Sequence, residues 1–245
     1  MEISGVIVFI LGAFWSAKGI ALGSLSTLPY DPGGAWDNPG TLGLFGRLEG
    51  IYARTIHGDT QSIAILLPAY GFNSLLYSSV ASDRWEYGVS LSKIAFPWLS
   101  VGGLVAYAHL GKEHNVPLSF GVVPQWSIRS LGRLAGGIGF YDLLGEPGTN
   151  LSFSLVTGYS VPYLIIADFR QAWGENRWRM SVGTDASFTV SSFADFSIRA
   201  GWREDPIADR RGPTWGFGLG LPFASLDFGA EGLDYFLGSV DLFWK

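Results

Sequence analysis

The chain has no cysteine in 245 residues. That absence excludes a disulfide framework, zinc–thiolate sites and cysteine nucleophiles. Charge is also scarce, since Asp, Glu, Lys and Arg make up 15% of the residues, against about 25% in an ordinary soluble domain. So few charges cannot solvate a surface on every side. No basic run occurs, and a net charge of −5 with a pI near 5.1 argues against nucleic acid as a partner. After the first twenty positions no apolar run reaches the ~18–20 residues that a spanning helix needs. Mean hydropathy is nevertheless +0.25, and 10 Trp, 10 Tyr and 17 Phe demand burial somewhere. An apolar chain without spanning helices has one other route across a bilayer, a closed β-barrel whose wall satisfies its own backbone.

Ser4 to Ser16 reads S-G-V-I-V-F-I-L-G-A-F-W-S, an apolar core between small residues. Small pairs spaced for cleavage follow, Ala17 with Gly19 or Gly19 with Ala21. This layout predicts a secretory signal over residues 1–21, although its start holds Glu2 and neither Lys nor Arg. A buried apolar helix or a membrane anchor is the alternative. Export of a barrel implies the outer membrane of a Gram-negative-type envelope.

Downstream of Gly40 the dominant period is two. From Arg177 to Val190, Trp178, Met180, Val182, Thr184, Ala186, Phe188 and Val190 share one face, while Arg177, Arg179, Ser181, Gly183, Asp185, Ser187 and Thr189 share the other. One face of such a strand meets an apolar medium and the other meets water. Phe196, Ile198 and Trp202 against Asp195, Ser197 and Arg199 repeat the split. So do Trp85, Tyr87, Val89 and Leu91 against Arg84, Glu86, Ser90 and Ser92.

Strands are expected near 41–55, 61–70, 72–79, 84–96, 98–110, 116–128, 131–141, 151–159, 161–173, 177–190, 193–202, 213–222, 223–230 and 233–244. The even count of about 14 suits a single-chain bacterial barrel. Connections after odd strands read as longer or charged, as in Asp142 to Asn150 and Arg203 to Gly212. Those after even strands shrink to Gly71, Pro97, Arg129-Ser130, Ser160, Ser191-Ser192 and the Pro222 corner. Long loops outside and tight periplasmic turns make that rhythm. A soluble sandwich or lipocalin-like barrel would carry a densely charged outer face, whereas the polar faces here are mostly Gly, Ser and Thr. The fold class expected is therefore all-β, an antiparallel transmembrane β-barrel over residues 41–245.

Asp31 to Gly43 reads D-P-G-G-A-W-D-N-P-G-T-L-G. It resembles a motif near the mature N-terminus of the FadL superfamily of outer-membrane barrels, including the PorV/PorQ-like branch. Asp31, Pro32, Ala35, Trp36, Asn38 and Pro39 match that motif, while Gly40 and Thr41 stand where the family usually has Ala and Gly. Tyr87 to Gly103 and the closing stretch T-W-G-F-G-L-G-L with Leu226 to Tyr235 look similar to the family as well. The resemblance implies fourteen strands, and a hatch made by residues 22–40 at the periplasmic end of the lumen. Asp31, Pro32, Trp36, Asn38 and Pro39 would be its hatch motif. Composition agrees that this segment is neither strand nor regular helix, since Pro29, Pro32 and Pro39 punctuate it. Asn38 is expected to tie a turn through side-chain hydrogen bonds to backbone.

No catalytic constellation is visible, so no enzyme, metal or cofactor is expected. His57 and His114 fall in expected loops, His109 at a strand end, and Lys112-Glu113-His114 reads as a solvated loop. The D-P-I-A-D-R-R stretch, Asp205 to Arg211, reads as a loop locked by its own ion pairs. Alternation makes Arg84, Glu86, Asp168, Arg170, Arg177, Arg179, Asp185, Asp195 and Arg199 candidates for the lumen lining. Arg170, Arg179 and Arg199 should reach Asp168, Asp185 and Asp195, either bracing the wall or forming a polar constriction. Val182 should face lipid, and Gly183→Ser should be mild if its side chain enters a roomy lumen. The expected partners are outer-membrane lipid and a small hydrophobic molecule that is passed or bound. The alternative is a non-transporting scaffold docking an envelope or secreted protein, as the PorV resemblance implies.

Overall fold

The computed structural model describes residues 19, 22, 35, 38–56, 59–81, 84–111, 113–129, 132–144, 147–157, 163–206, 210–233 and 235–244. The expected signal segment, apart from Gly19, lies outside them, as do Asp31, Pro32 and Trp36 of the hatch motif. No helix among the described residues is long and apolar enough to cross a membrane.

The wall is built from β1 (Leu48–Thr55), β2 (Gln61–Ala69), β3 (Phe72–Ala81), β4 (Arg84–Phe96), β5 (Leu99–Leu110), β6 (Glu113–Asn115), β7 (Leu118–Ile128) and β8 (Gly132–Tyr141). It continues through β9 (Gly148–Thr157), β10 (Tyr163–Ala172), β11 (Arg179–Ser191), β12 (Ala194–Asp205), β13 (Arg210–Gly220), β14 (Ala224–Glu231) and β15 (Tyr235–Trp244). Apart from β6 and β7, which both pair with β5, each strand pairs antiparallel with its chain neighbours, and β1 pairs with β15, Leu48 opposite Trp244. That pairing closes the sheet and leaves no edge exposed to lipid. Fifteen segments make fourteen staves, because β6 and β7 lie on one line. Asn115 faces Ala108 and Leu118 faces Val105, so the register against β5 does not change across the break. The interruption falls at Val116–Pro117, where proline has no N–H to give the ladder.

Two expectations of local structure need correction. Residues 41–47 do not begin the first strand, which starts at Leu48. Pro39–Leu44 forms a 3-10 helix, with Pro at its first position and Asn38 as its N-cap. The turn expected at Ser160 lies outside the described residues, between Thr157 of β9 and Tyr163 of β10. The stretch Arg203 to Gly212 is not a long loop. β12 runs on to Asp205 and β13 begins at Arg210, so the ladder carries Arg203 opposite Gly212. The rhythm of loop lengths is weaker than the sequence suggested.

Outward positions are apolar around the whole barrel, with Ile65, Val89, Val105, Phe153, Ile165 and Phe217 all exposed. Aromatic residues band both ends. Phe72, Phe96, Trp98, Trp126, Phe193 and Trp244 are exposed near the end where β1 starts. Trp85, Trp173, Trp178, Trp202 and Trp215 are exposed near the other. Apolar outward faces between two aromatic girdles are what a bilayer selects.

Candidate functional site

The interior has two unlike sectors. Along β1, β2, β3 and β5 the inward face carries an apolar cluster, Ile51, Ala64, Leu66, Leu75, Leu104 and Ala106, flanked by buried Glu49, Ser62, Ser79 and Ser100. A bare lumen would leave these side chains facing water. Instead, Ala35 and Leu42 of the N-terminal segment are fully buried in that cluster, with Phe45 packed against it.

Hydrogen bonds fix the segment there. Asn38 Oδ1 accepts from Gly40 N at 3.1 Å, and Asn38 Nδ2 donates to Val122 O on β7 at 3.3 Å. Thr41 Oγ1 donates to Asn38 O at 2.9 Å. Ser100 Oγ on β5 donates to Gly40 O at 2.6 Å, and Asn73 Nδ2 on β3 donates to Leu42 O at 2.7 Å and also to Phe45 O. Inward glycines make the approach possible. A Cβ at Gly102 would lie 2.5 Å from Pro39 O, one at Gly137 would lie 2.8 Å from Asn38 Nδ2, and one at Gly121 would collide with the Asn38 side chain. Asn38 also sits beside a lapse in the wall. The β7–β8 ladder pairs Val122 with Ile138 and resumes at Gln125 with Ala135, skipping Pro124 opposite Gly136.

Farther around the wall, Leu22 is fully buried against Leu164 and Ile166 of β10. Its carbonyl oxygen occupies the space a Cβ at Gly183 would need. Gly183 therefore faces packed backbone rather than a roomy lumen, which overturns the expectation that Gly183→Ser is mild.

The second sector, on β11 to β15, is ionic. Arg199 Nε donates to Asp185 Oδ2 at 2.9 Å, and Arg199 Nη1 pairs with Asp227. Arg203 bridges Asp205 at 3.0 Å and Glu231 at 3.1 Å, and Arg179 lies 3.3 Å from Asp205. Ser225 Oγ links Asp227 and Asp241 at 3.2 and 3.0 Å.

The nine residues expected along the lumen divide accordingly. Asp185, Arg199 and Arg179 enter the ionic ladder. Glu86 is buried and accepts from Tyr77 Oη at 2.6 Å, and Asp168 accepts from Asn150 Nδ2 at 2.7 Å. The Arg170 guanidinium stacks on Tyr141, 4.0 Å from the ring centroid. Arg84 opens β4 and is half-buried. Two differ from expectation. Arg177 precedes β11 and donates to Pro206 O at 3.2 Å on the rim, and Asp195 is exposed at the start of β12. Sequence reading missed Asp227, Arg203, Asp205 and Glu231. Continuing the alternation of β12 past Trp202 would have found the middle two.

No group of three or more His, Asp or Glu among the described residues is placed to hold a metal ion. Neither a family model nor a curated protein sequence matches the chain. Among solved structures, the outer-membrane protein Omp33 of Acinetobacter baumannii is similar, with TM-score 0.53 and 11% identity over 81% of this chain and 96% of that one. The KdgM porin gives TM-score 0.46 and 9% identity, covering 82% and 100%. The CymD monoaromatic hydrocarbon channel gives 0.44 and 10%, covering 94% and 96%. At these identities the likeness is one of fold. The closed wall, with its apolar outward face between two aromatic girdles, makes this chain a transmembrane β-barrel of the outer-membrane type, the fold it shares with Omp33.

Proposed function

We propose that this barrel is a channel closed by its own N-terminal segment, and that it passes or binds a small hydrophobic molecule. The observation that carries the reading is the burial of Ala35, Asn38, Thr41 and Leu42 against an apolar inward strip. Porin interiors are polar and water-filled. An apolar strip covered by this segment offers an apolar solute a path if the segment is displaced. The lapse in the β7–β8 ladder beside Asn38 supports coupling between segment and wall. The partial FadL-type motif, of which Asn38 and Pro39 are described, supports residues 22–40 as a hatch. No step of this function calls for catalysis or a cofactor.

Deleting Leu22 to Tyr30 should raise single-channel conductance, and permeability to a hydrophobic dye, in reconstituted bilayers. Unheated gel electrophoresis would verify that the barrel still assembles. Unchanged permeability in an assembled deletion variant refutes the channel. One observation favours a second reading, a scaffold similar to PorV-type proteins. The ion pairs from Asp185 to Glu231 brace the other half of the lumen. On that reading the deletion leaves permeability alone and an envelope or secreted protein co-purifies.

A further inference from the structure

The hairpin of β5 and β6 brings together two histidines that lie five residues apart in sequence. His109 and His114 are direct cross-strand partners, and their Nδ1 atoms stand 3.2 Å apart. Tyr107 Oη lies 2.6 Å from the same His114 Nδ1. A neutral imidazole nitrogen offers either one proton or one lone pair. In either tautomer, His114 Nδ1 can make a linear hydrogen bond to only one of these two neighbours. Two nitrogens bound to one tetrahedral metal at about 2.0–2.1 Å stand about 3.3 Å apart. The observed spacing is that bite.

The surroundings hold the donors in place. Trp85 stacks on His109 at 5.1 Å and 23°, and also contacts Tyr107 at 5.4 Å. Tyr87 stacks on both Trp85 and Tyr107, each at 5.5 Å. An aromatic shelf thus immobilises one imidazole, while His114 remains exposed to solvent. Less rotamer freedom is then lost on chelation.

We propose that His109 and His114 form a two-nitrogen chelate for a borderline divalent transition metal of the Zn2+, Ni2+ or Cu2+ class, with the Tyr107 phenol beside it. Imidazole donors suit these ions, whereas Mg2+ and Ca2+ take oxygen ligands. The site lies on the outer face of the wall and is independent of whether the lumen conducts.

Isothermal titration of Zn2+ into the untagged full chain in detergent micelles tests it. One saturable Zn2+ per barrel is expected, with at least tenfold weaker binding in His114→Ala or His109→Ala. Mg2+ should give no binding, and His57→Ala, which removes the chain's remaining histidine, should leave Zn2+ binding unchanged. Assembly of each variant is checked by the heat-dependent gel shift, and His114→Asn serves if the Ala variant does not assemble. Zn2+ binding that persists at full strength in the His109→Ala/His114→Ala double variant overturns the proposal, as does the absence of saturation at millimolar Zn2+.

Discussion

Replacing Arg199 by Met removes one positive charge from between two carboxylates. The Arg199 side chain is 4% exposed, and those of Asp185 and Asp227 are 7% and 6% exposed. Ser187 and Ser225 also donate to these carboxylates, at 3.3 and 3.2 Å, but neutral hydroxyls do not cancel charge. The guanidinium packs closely over Gly218, where a Cβ would lie 2.7 Å from Arg199 Nη2. Removing one member of a buried ion pair costs about 3–5 kcal/mol, mostly through the charge left behind. Arg199→Met should therefore destabilise the barrel by about that amount. Adding Asp185→Asn and Asp227→Asn removes the stranded charges, so the triple variant should recover most of the loss. Arg211 with Glu204 provides the contrast, at 3.9 Å with side chains 70% and 40% exposed. Arg211→Met should cost less than about 1 kcal/mol. Reversible urea unfolding in detergent, read as midpoint shifts at constant slope, measures all three. If Arg199→Met costs no more than Arg211→Met, or the triple variant is no better than Arg199→Met alone, the ladder is not the brace described above.

Val182 is 41% exposed between Ala167 of β10 and Trp202 of β12, so Val182→Arg should cost about 2–4 kcal/mol at the bilayer midplane and less toward an interface. The same unfolding assay in lipid checks it, and a neutral result would mean that this face does not meet acyl chains. Gly183→Ser should assemble yet disturb the chain at Leu22, raising permeability in reconstituted bilayers. Wild-type conductance and stability together would refute the close approach of that backbone.

Much of the wall was legible in the sequence because a strand that separates lipid from lumen must alternate. The clearest rows, such as Trp178 to Val190, are those whose inward faces carry Arg, Asp, Ser and Gly. Alternation is faint in L-E-G-I-Y-A-R-T, β1, and in β2, because each face there carries apolar residues: Tyr52 and Ile63 are exposed while Ile51 and Leu66 are buried. Periodicity reports a change of environment between faces, and the N-terminal segment covering the inward face removes that change. Parity could name inward charges, but not which of them meet, because partners depend on strand register and tilt. Arg199 joins Asp185 on one neighbouring strand and Asp227 two staves away, and no spacing along the chain encodes the second contact. Gly102, Gly121, Gly137 and Gly183 looked like ordinary small lumen residues in sequence. Their shared role, space for a backbone crossing inside the barrel, arises only when the sheet closes around the N-terminal segment and brings β5, β7, β8 and β11 against it.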